Sequence, residues 1–360
     1  MILPSTIKKL KDSYAKKKAF VLYAQPNSDI ISSLFQKDNT VSEASEDCEN
    51  AFVFAPFLEN EKHYCLFKDH AEEFQEVVVL NPQQVTTMAY PEVSSEKKSY
   101  ESLVAKAIQY IKDRQAKKIV VSRKQTFSLQ NFDFDDLLCR IFLIYPNTFR
   151  YLWYHPETGL WCGATPEILL NTQAGCFNTM ALAGTKPNHL TERIVWGDKE
   201  KDEHQIVVDE IVKKLQSALS VIKVSKTSNY SAGPVIHLKT DIMGHIKKGK
   251  SSLYALAKKL HPTSAVCGLP GSGALKFITK YEGYDREYYT GYLGLLLSKN
   301  ESSSLYVNLR CMKLDPDGKK AHIYVGGGIT QDSVPSEEWQ ETQNKLLTML
   351  SVLQPFLAEN

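Results

Sequence analysis

The chain has 360 residues, 43% of them hydrophobic and 23% charged, with 43 basic against 41 acidic side chains and a formal net charge of +2. A chain of this size buries roughly three quarters of its unfolded surface, so a large core needs no disulfide or metal staples. The near-neutral charge leaves no broad basic field for nucleic acid, and no apolar run approaches the ~18 residues of a membrane-spanning helix. Seven scattered cysteines with no CxxC pair suit a reducing compartment, and Met1–Lys18 lacks the apolar stretch of a secretory signal. These features predict a cytoplasmic protein with no nucleic-acid or membrane partner.

In chain order, the basic run Lys8–Lys18 reads as a solvated helix face. Short apolar runs follow at Phe20–Tyr23, Ala51–Phe54, Tyr64–Phe67 and Val77–Leu80, which suit strands. The polar stretch Pro91–Ser99 is the best boundary, with Ser99 as candidate N-cap of a helix carrying Tyr100, Leu103, Val104, Ala107, Ile108 and Ile111. Residues 1–98 are accordingly read as a variable N-terminal part of one fold, and 99–354 as its catalytic region. Beyond, strands are predicted at Lys118–Arg123, Thr148–Tyr154, Leu160–Ala164, Glu167–Asn171, Val235–Ile242, Tyr288–Ser298, Ser304–Leu314 and Ala321–Val325. Helices are predicted at Asp135–Ile144, Asp198–Leu219, Ser252–Leu260 and Ser336–Leu353. Strands in consecutive runs point to an α+β fold with large antiparallel sheets.

One segment, Gly244–Ser251 (GHIKKGKS), satisfies the P-loop expression, and Ile206–Glu210 imitates its acidic partner. The partner lies inside a helical period and precedes the loop, the reverse of the usual order, so nucleotide binding is an outside reading.

Two acidic pairs carry more chemistry. Glu200 and Glu203 open one predicted helix, and Glu338 and Glu341 open the last. An i, i+3 spacing puts each pair on one helix face, beside apolar stripes where a carboxylate is costly unless paired or metal-bound. Together they could supply oxygen ligands to Mg²⁺. The ordinary alternative is favourable charge at helix N-termini plus a Glu341–Lys345 pair. Lys118 opens a β-branched strand, and facing inward it would lose solvation, which favours its neutral, base form. Arg310, read as a strand residue, could grip a carboxylate, and Gly326–Gly328 would let backbone approach an anion. An edge charge, a surface arginine and a tight turn are the plainer explanations.

Taken together, nine blocks resemble the chorismate-utilising enzymes: isochorismate synthases, salicylate synthases, and component I of anthranilate and aminodeoxychorismate synthases. The blocks are KIVVSR (118–123), GATPEILL (163–170), ALAGT (181–185), KEKDEHQIV (199–207), HPTSAVCGLP (261–270), YDREYYTGYLG (284–294), LRCMKL (309–314), VGGGI (325–329) and EEWQETQNKL (337–346). The resemblance runs from about Ala116 to Leu353. It implies a single large domain of two stacked, mainly antiparallel sheets with outer helices. It further implies Lys118 as water-activating base and Glu167 as the acid that protonates the departing C4 hydroxyl. Glu203 and Glu341 would bind Mg²⁺, with Glu200 and Glu338 behind them or bridged through water. Gly184, Thr185, Arg310, Gly326 and Lys345 would hold the substrate carboxylates, with Tyr289 in the wall.

Among family members, Lys118 favours water over ammonia, and Ala265 in HPTSA looks like the isochorismate synthases, whereas pyruvate-eliminating members commonly carry Thr there. The resemblance therefore implies Mg²⁺-dependent conversion of chorismate to isochorismate, feeding menaquinone or a catechol siderophore. It implies a monomer with no glutaminase partner. A salicylate synthase or an ammonia-using component I is the alternative.

Overall fold

The computed structural model describes residues 4–78, 94–173, 175–187, 194–232, 235–247, 252–298 and 301–358. Its helices are α1 (Pro4–Ala15), α2 (Ser94–Lys112), α3 (Phe134–Leu143), α4 (Asp198–Leu215), α5 (Leu253–Leu260), α6 (Gly271–Tyr281) and α7 (Pro335–Leu353). The early strands are β1 (Phe20–Ala24), β2 (Ile30–Gln36), β3 (Ala51–Ala55), β4 (Tyr64–Phe67), β5 (Ala71–Val77), β6 (Lys118–Ser128), β7 (Phe149–His155), β8 (Gly159–Thr165) and β9 (Ile168–Gln173). The later strands are β10 (Cys176–Pro187), β11 (Leu219–Val224), β12 (Ser228–Ala232), β13 (Val235–Ile246), β14 (Gly268–Leu269), β15 (Tyr292–Leu296), β16 (Ser303–Val307), β17 (Cys311–Leu314) and β18 (Lys320–Ile329).

They form two antiparallel sheets of nine strands. The first runs β14-β6-β18-β17-β8-β7-β1-β2-β5; the second runs β11-β13-β10-β9-β16-β15-β3-β4, with β12 on β13. Alternation along the strands builds the layers. Val21 and Tyr23 point into an aromatic core between the sheets with Phe52, Phe54, Trp153, Trp161 and Tyr324. Phe20, Leu22 and Ala24 point the other way, against α1, α3 and α7. The second sheet packs its outer face on α4 and α5, and α2 and α6 cover the β6–β18 end. Strands buried on both faces read as unbroken apolar runs, which is why Phe20–Ala24 and Ala51–Ala55 look the same in sequence although they lie in different sheets. The architecture is the expected α+β fold of two stacked antiparallel sheets with outer helices. Strands from before residue 98 sit inside both sheets: β1 pairs with β7, and β3 with β15.

Several boundaries differ from expectation for identifiable reasons. Helix α2 starts at Ser94, so Ser99 lies within it and is not its cap. Residues 79–93, which take in the end of the expected Val77–Leu80 strand and the start of the Pro91–Ser99 boundary, lie outside the described residues. Helix α4 ends at Leu215, and Leu219, read as helical, opens β11. Helix α6 is not expected from sequence, because Pro270, Gly271 and Gly273 weigh against helix at its start. Of Gly244–Ser251, residues 244–246 belong to β13, with Gly244 opposite Phe177 and Ile222. That is paired strand, not the loop a phosphate cradle needs, and residues 248–251 lie outside the described residues. The Ile206–Glu210 imitation of its acidic partner is helical. Among the described residues no helix is long and apolar enough to cross a membrane.

The expected strand Ser304–Leu314 is two strands. The chain leaves the second sheet at Val307 and enters the first at Cys311, so Asn308–Arg310 is a crossover. Thr165–Glu167 is its counterpart, joining β8 in the first sheet to β9 in the second. The two are tied: the Thr165 hydroxyl donates to Val307 O at 2.6 Å, and Val307 N donates to Glu167 O at 2.9 Å.

A buried cation fastens the opposite side. Arg286 donates to Val120 O at 2.8 Å, to Val266 O at 2.9 Å and to Thr290 Oγ1 at 3.3 Å. It pairs with Glu282 at 2.5 Å, and both side chains are 1% exposed. Removing one partner of such a pair strands the other charge. Arg286→Met is expected to lower unfolding stability by about 3–5 kcal/mol, measured by urea denaturation. A loss under about 1 kcal/mol would show that Ser122, which also donates to Glu282, suffices alone.

Candidate active site

A cavity with about 640 Å³ of empty volume opens between the sheets, where the two crossovers meet β10, β13, β18 and the start of α4. Glu167, Gly184, Thr185, Glu203, Ala265, Tyr289, Arg310, Gly326 and Lys345 all line it. Nine of the thirteen residues singled out from sequence thus share one wall, although they span almost 180 positions.

Their placement follows from local structure. Glu167 and Arg310 stand on the crossovers, not on strands, and Arg310 has a left-handed backbone (φ 47°). Gly184 sits at a bulge in β10 with φ +75°, and a Cβ there would meet Glu200 at 3.2 Å, so only glycine allows α4 so close. Gly326–Gly328 are not a turn; they pair in β18 with Ser122–Val120 of β6. Their bareness makes room for acids. A Cβ on Gly328 would lie 2.1 Å from Glu203 Oε1, and one on Gly327 would lie 3.1 Å from Glu338 Oε2 and 3.5 Å from Glu341 Oε1.

Lys118 opens β6 fully buried, with its Nζ 3.1 Å from Glu203 Oε1. Lys345 donates to Glu341 at 2.6 Å and to Gly326 O at 2.8 Å. Lys199 pairs with Glu338 at 2.6 Å. Glu338 is 1% exposed, and burial, with the adjacent Glu341 charge, pushes its carboxyl up to about 7 against the pull of Lys199. Glu200 is not brought to these groups. Its carboxylate turns back to accept from Gly197 N at 2.8 Å, closing the N-terminus of α4.

Glu167 is different again, because no cation pairs with it at contact. It is 4% exposed, and burial pushes its carboxyl up to about 8, even though Lys118, Lys345 and Arg310 favour the charged form. It is therefore largely protonated at neutral pH.

One residue of the cavity escapes sequence reasoning. His237 of β13 lines it, and its imidazole is held well below the usual range by burial and by Arg310 and Lys345. Arg310 Nη2 donates to its Nε2 at 3.0 Å, which fixes the proton on Nδ1. Nδ1 then donates to Thr185 Oγ1 at 3.1 Å or to Gly184 O at 3.3 Å. While it donates to Thr185, that hydroxyl proton stays free to point into the cavity. Arg310 Nη1, also buried, has no hydrogen-bond partner. A buried histidine inside an apolar β-run carries no spacing signal, so only the fold reveals it.

The arrangement can hold an anion through Arg310, Lys345 and Thr185 while a neutral carboxylic acid and a buried lysine act on it. Among the described residues, no three acidic, thiol or imidazole groups converge on one point. The donor chemistry nevertheless fits Mg²⁺, which takes one or two carboxylates and fills its other positions with water and substrate oxygen. Glu338, buried with a raised carboxyl beside the half-buried Glu341, is a site that a divalent cation would relieve.

Glu167 generates a stability prediction. Its folded value of about 8 lies above an unfolded value near 4.5. The folded state therefore holds the extra proton, and its advantage is lost as pH rises from about 4.5 through 8. Glu167→Gln should gain on the unsubstituted protein over that window by on the order of 3 kcal/mol, read from denaturation at pH 5 and pH 9. A pH-independent difference would show that Glu167 is ionised in the folded protein.

The chain is similar to several known proteins. A family model described as chorismate binding enzyme matches residues 42–354, so the likeness reaches well ahead of Ala116. Isochorismate synthase EntC of Escherichia coli (strain K12) is 31% identical over 269 residues, covering 71% of this chain and 67% of that protein. Among solved structures, one described as a candidate 2,3-dihydroxybenzoate-specific isochorismate synthase, DhbC from Bacillus anthracis, superposes with a TM-score of 0.79 at 24% identity, covering 96% of this chain and 99% of the other. Anthranilate synthase component I from Streptococcus pneumoniae gives 0.63 at 17% identity, with 92% of each chain covered. At these identities the two structures support the fold alone.

Proposed function

The chain belongs to the chorismate-binding enzyme family, and from that premise we propose that it is an isochorismate synthase, an isomerase that converts chorismate to isochorismate with Mg²⁺. The observation that carries the reading is the contrast inside one cavity. Glu167 is buried with its carboxyl pushed up to about 8, Lys118 is buried behind the cavity, and Arg310 presents an unpartnered guanidinium nitrogen.

The reaction adds a hydroxyl at C2 and loses one at C4 while the ring double bonds shift, so water enters and water leaves. Lys118 takes the proton of the entering water, and Glu167 delivers its proton to the departing C4 hydroxyl. The two groups need opposite protonation states in one site. Burial without a contact cation supplies the neutral acid. Arg310 can grip one substrate carboxylate through Nη1, and Lys345 and Thr185 line the same cavity. His237 keeps Arg310 aimed. Glu203, Glu341 and Glu338 are the residues that would hold Mg²⁺, which supplies charge stabilisation to the ring carboxylate when bound. Glu200 stays outside this set.

The choice of water over ammonia rests on Lys118. Release of isochorismate without pyruvate loss is supported by Ala265, which presents only a methyl to the cavity.

Purified protein incubated with chorismate and Mg²⁺ is expected to give isochorismate by product chromatography, indifferent to ammonium and abolished by EDTA. Salicylate with pyruvate, or an amino product formed only with ammonium, would reassign the activity. Lys118→Ala and Glu167→Gln should each lose about 10²–10⁴ in kcat while remaining folded. Turnover should also fall as pH rises through about 8, where Glu167 gives up its proton. Near-normal rates in either variant would strip that residue of its role as base or acid.

A further inference from the structure

The three lysine–carboxylate pairs around Gly327 and Gly328 are not equivalent. Lys345 lines the cavity, and Lys118 lies buried behind it. Lys199 lines a separate surface cleft with Lys117, Asp202 and Thr330. From there it reaches inward to Glu338 at 2.6 Å. The lysine side chain is 22% exposed and the glutamate side chain 1%. The pair thus stands between an open cleft on one side and Gly327, part of the cavity wall, on the other.

A carboxylate at the depth of Glu338 is kept charged only by a cation at contact. Glu341, beside the same glycine, sharpens that need. One flexible ammonium thus sits on Glu338, with Glu341 beside the same glycine and an open cleft behind it. A divalent cation at Glu338 would meet Lys199 at the same carboxylate.

We propose that Lys199 is a built-in competitor of the metal: it neutralises Glu338 when no cation is bound and withdraws into the surface cleft when the cation takes its place. Metal affinity is then set by an exchange of charges and not by simple addition. The buried acids never face each other uncompensated, and the metal can leave without a large cost in stability. The inference rests on the reading of Glu203, Glu338 and Glu341 as the cation-binding set.

The test is calorimetric titration of Mg²⁺ into EDTA-stripped, dialysed full-length protein, in unsubstituted, Lys199→Met and Lys199→Gln forms, together with thermal melts with and without Mg²⁺. Both variants should bind Mg²⁺ more tightly, by about tenfold or more, as expected when one ion pair no longer has to be broken. Without metal they should melt several degrees below the unsubstituted protein, and Mg²⁺ should restore most of the difference. A variant that folds only with Mg²⁺ present also supports the exchange. Equal or weaker Mg²⁺ binding by the variants, or failure to fold even with Mg²⁺, overturns it. If the unsubstituted protein binds no Mg²⁺ at all, the cation reading itself fails, an outcome distinct from failure of the Lys199 inference.

Discussion

The cost of holding charge between two apolar sheets governs this molecule. Lys118, Glu167, Glu203, Arg310 and Glu338 are each less than a tenth exposed. In that environment a carboxylate or ammonium persists only at contact with its opposite. Three acids obey the rule, each with its own lysine. The two exceptions are informative. Glu167 has no contact cation and takes a proton instead, while Arg310 shares one nitrogen with a neutral histidine and leaves the other free. The two groups left unpaired by the fold offer a ligand a proton donor and an anion grip.

Two crossovers make this possible. In a two-sheet sandwich the interior is normally closed by interdigitating side chains. Here the chain steps from one sheet to the other at Thr165–Glu167 and back at Asn308–Arg310, and the steps hydrogen-bond to each other. The backbone there is not in register with either sheet, so Glu167 and Arg310 can face the space between them. Gly326–Gly328 complete the opening by withholding side chains from the end of β18, where acids from α4 and α7 approach. Arg286 then pins Val120, Val266 and Thr290, all on the cavity wall, by direct hydrogen bonds.

Much of the fold is legible in the sequence because many of its strands, such as β1, β3 and β7, are buried on both faces and its helices are not. Continuous runs such as Phe149–His155 contrast with the spaced pattern of α2, so element type is clear even where ends are not. Which sheet a strand joins is not legible. Ser304–Leu314 looks like one strand because both halves are apolar, and nothing local marks the switch at Asn308. Helix α6 is hidden by glycines placed where backbone passes closely: a Cβ on Gly273 would lie 2.4 Å from Gln115 O. In the site, ionisable residues at regular spacing are legible, but their orientation is not. Glu200 and Glu203 are indistinguishable by spacing, yet one caps its own helix and the other enters the cavity. Lys199 and His237 give no signal, since the function of each depends on a partner far away in sequence.

The same contrast explains why the fold by itself underdetermines the chemistry. An anthranilate synthase component I shares the architecture with a TM-score of 0.63, so the sheets and crossovers are common to proteins with different names. What the scaffold supplies is a pocket in which any unpaired ionisable group is forced toward its neutral form. Which reaction follows depends on which side chains stand in and around that pocket. In this chain a lysine occupies the first residue of β6 and an alanine the cavity position at 265. A lysine there stands on a strand paired on both sides, with β14 and β18. A methyl at 265 adds no donor or acceptor to the cavity lining. Specificity in this architecture is thus written in a few side chains, and the shared framework fixes where those side chains stand.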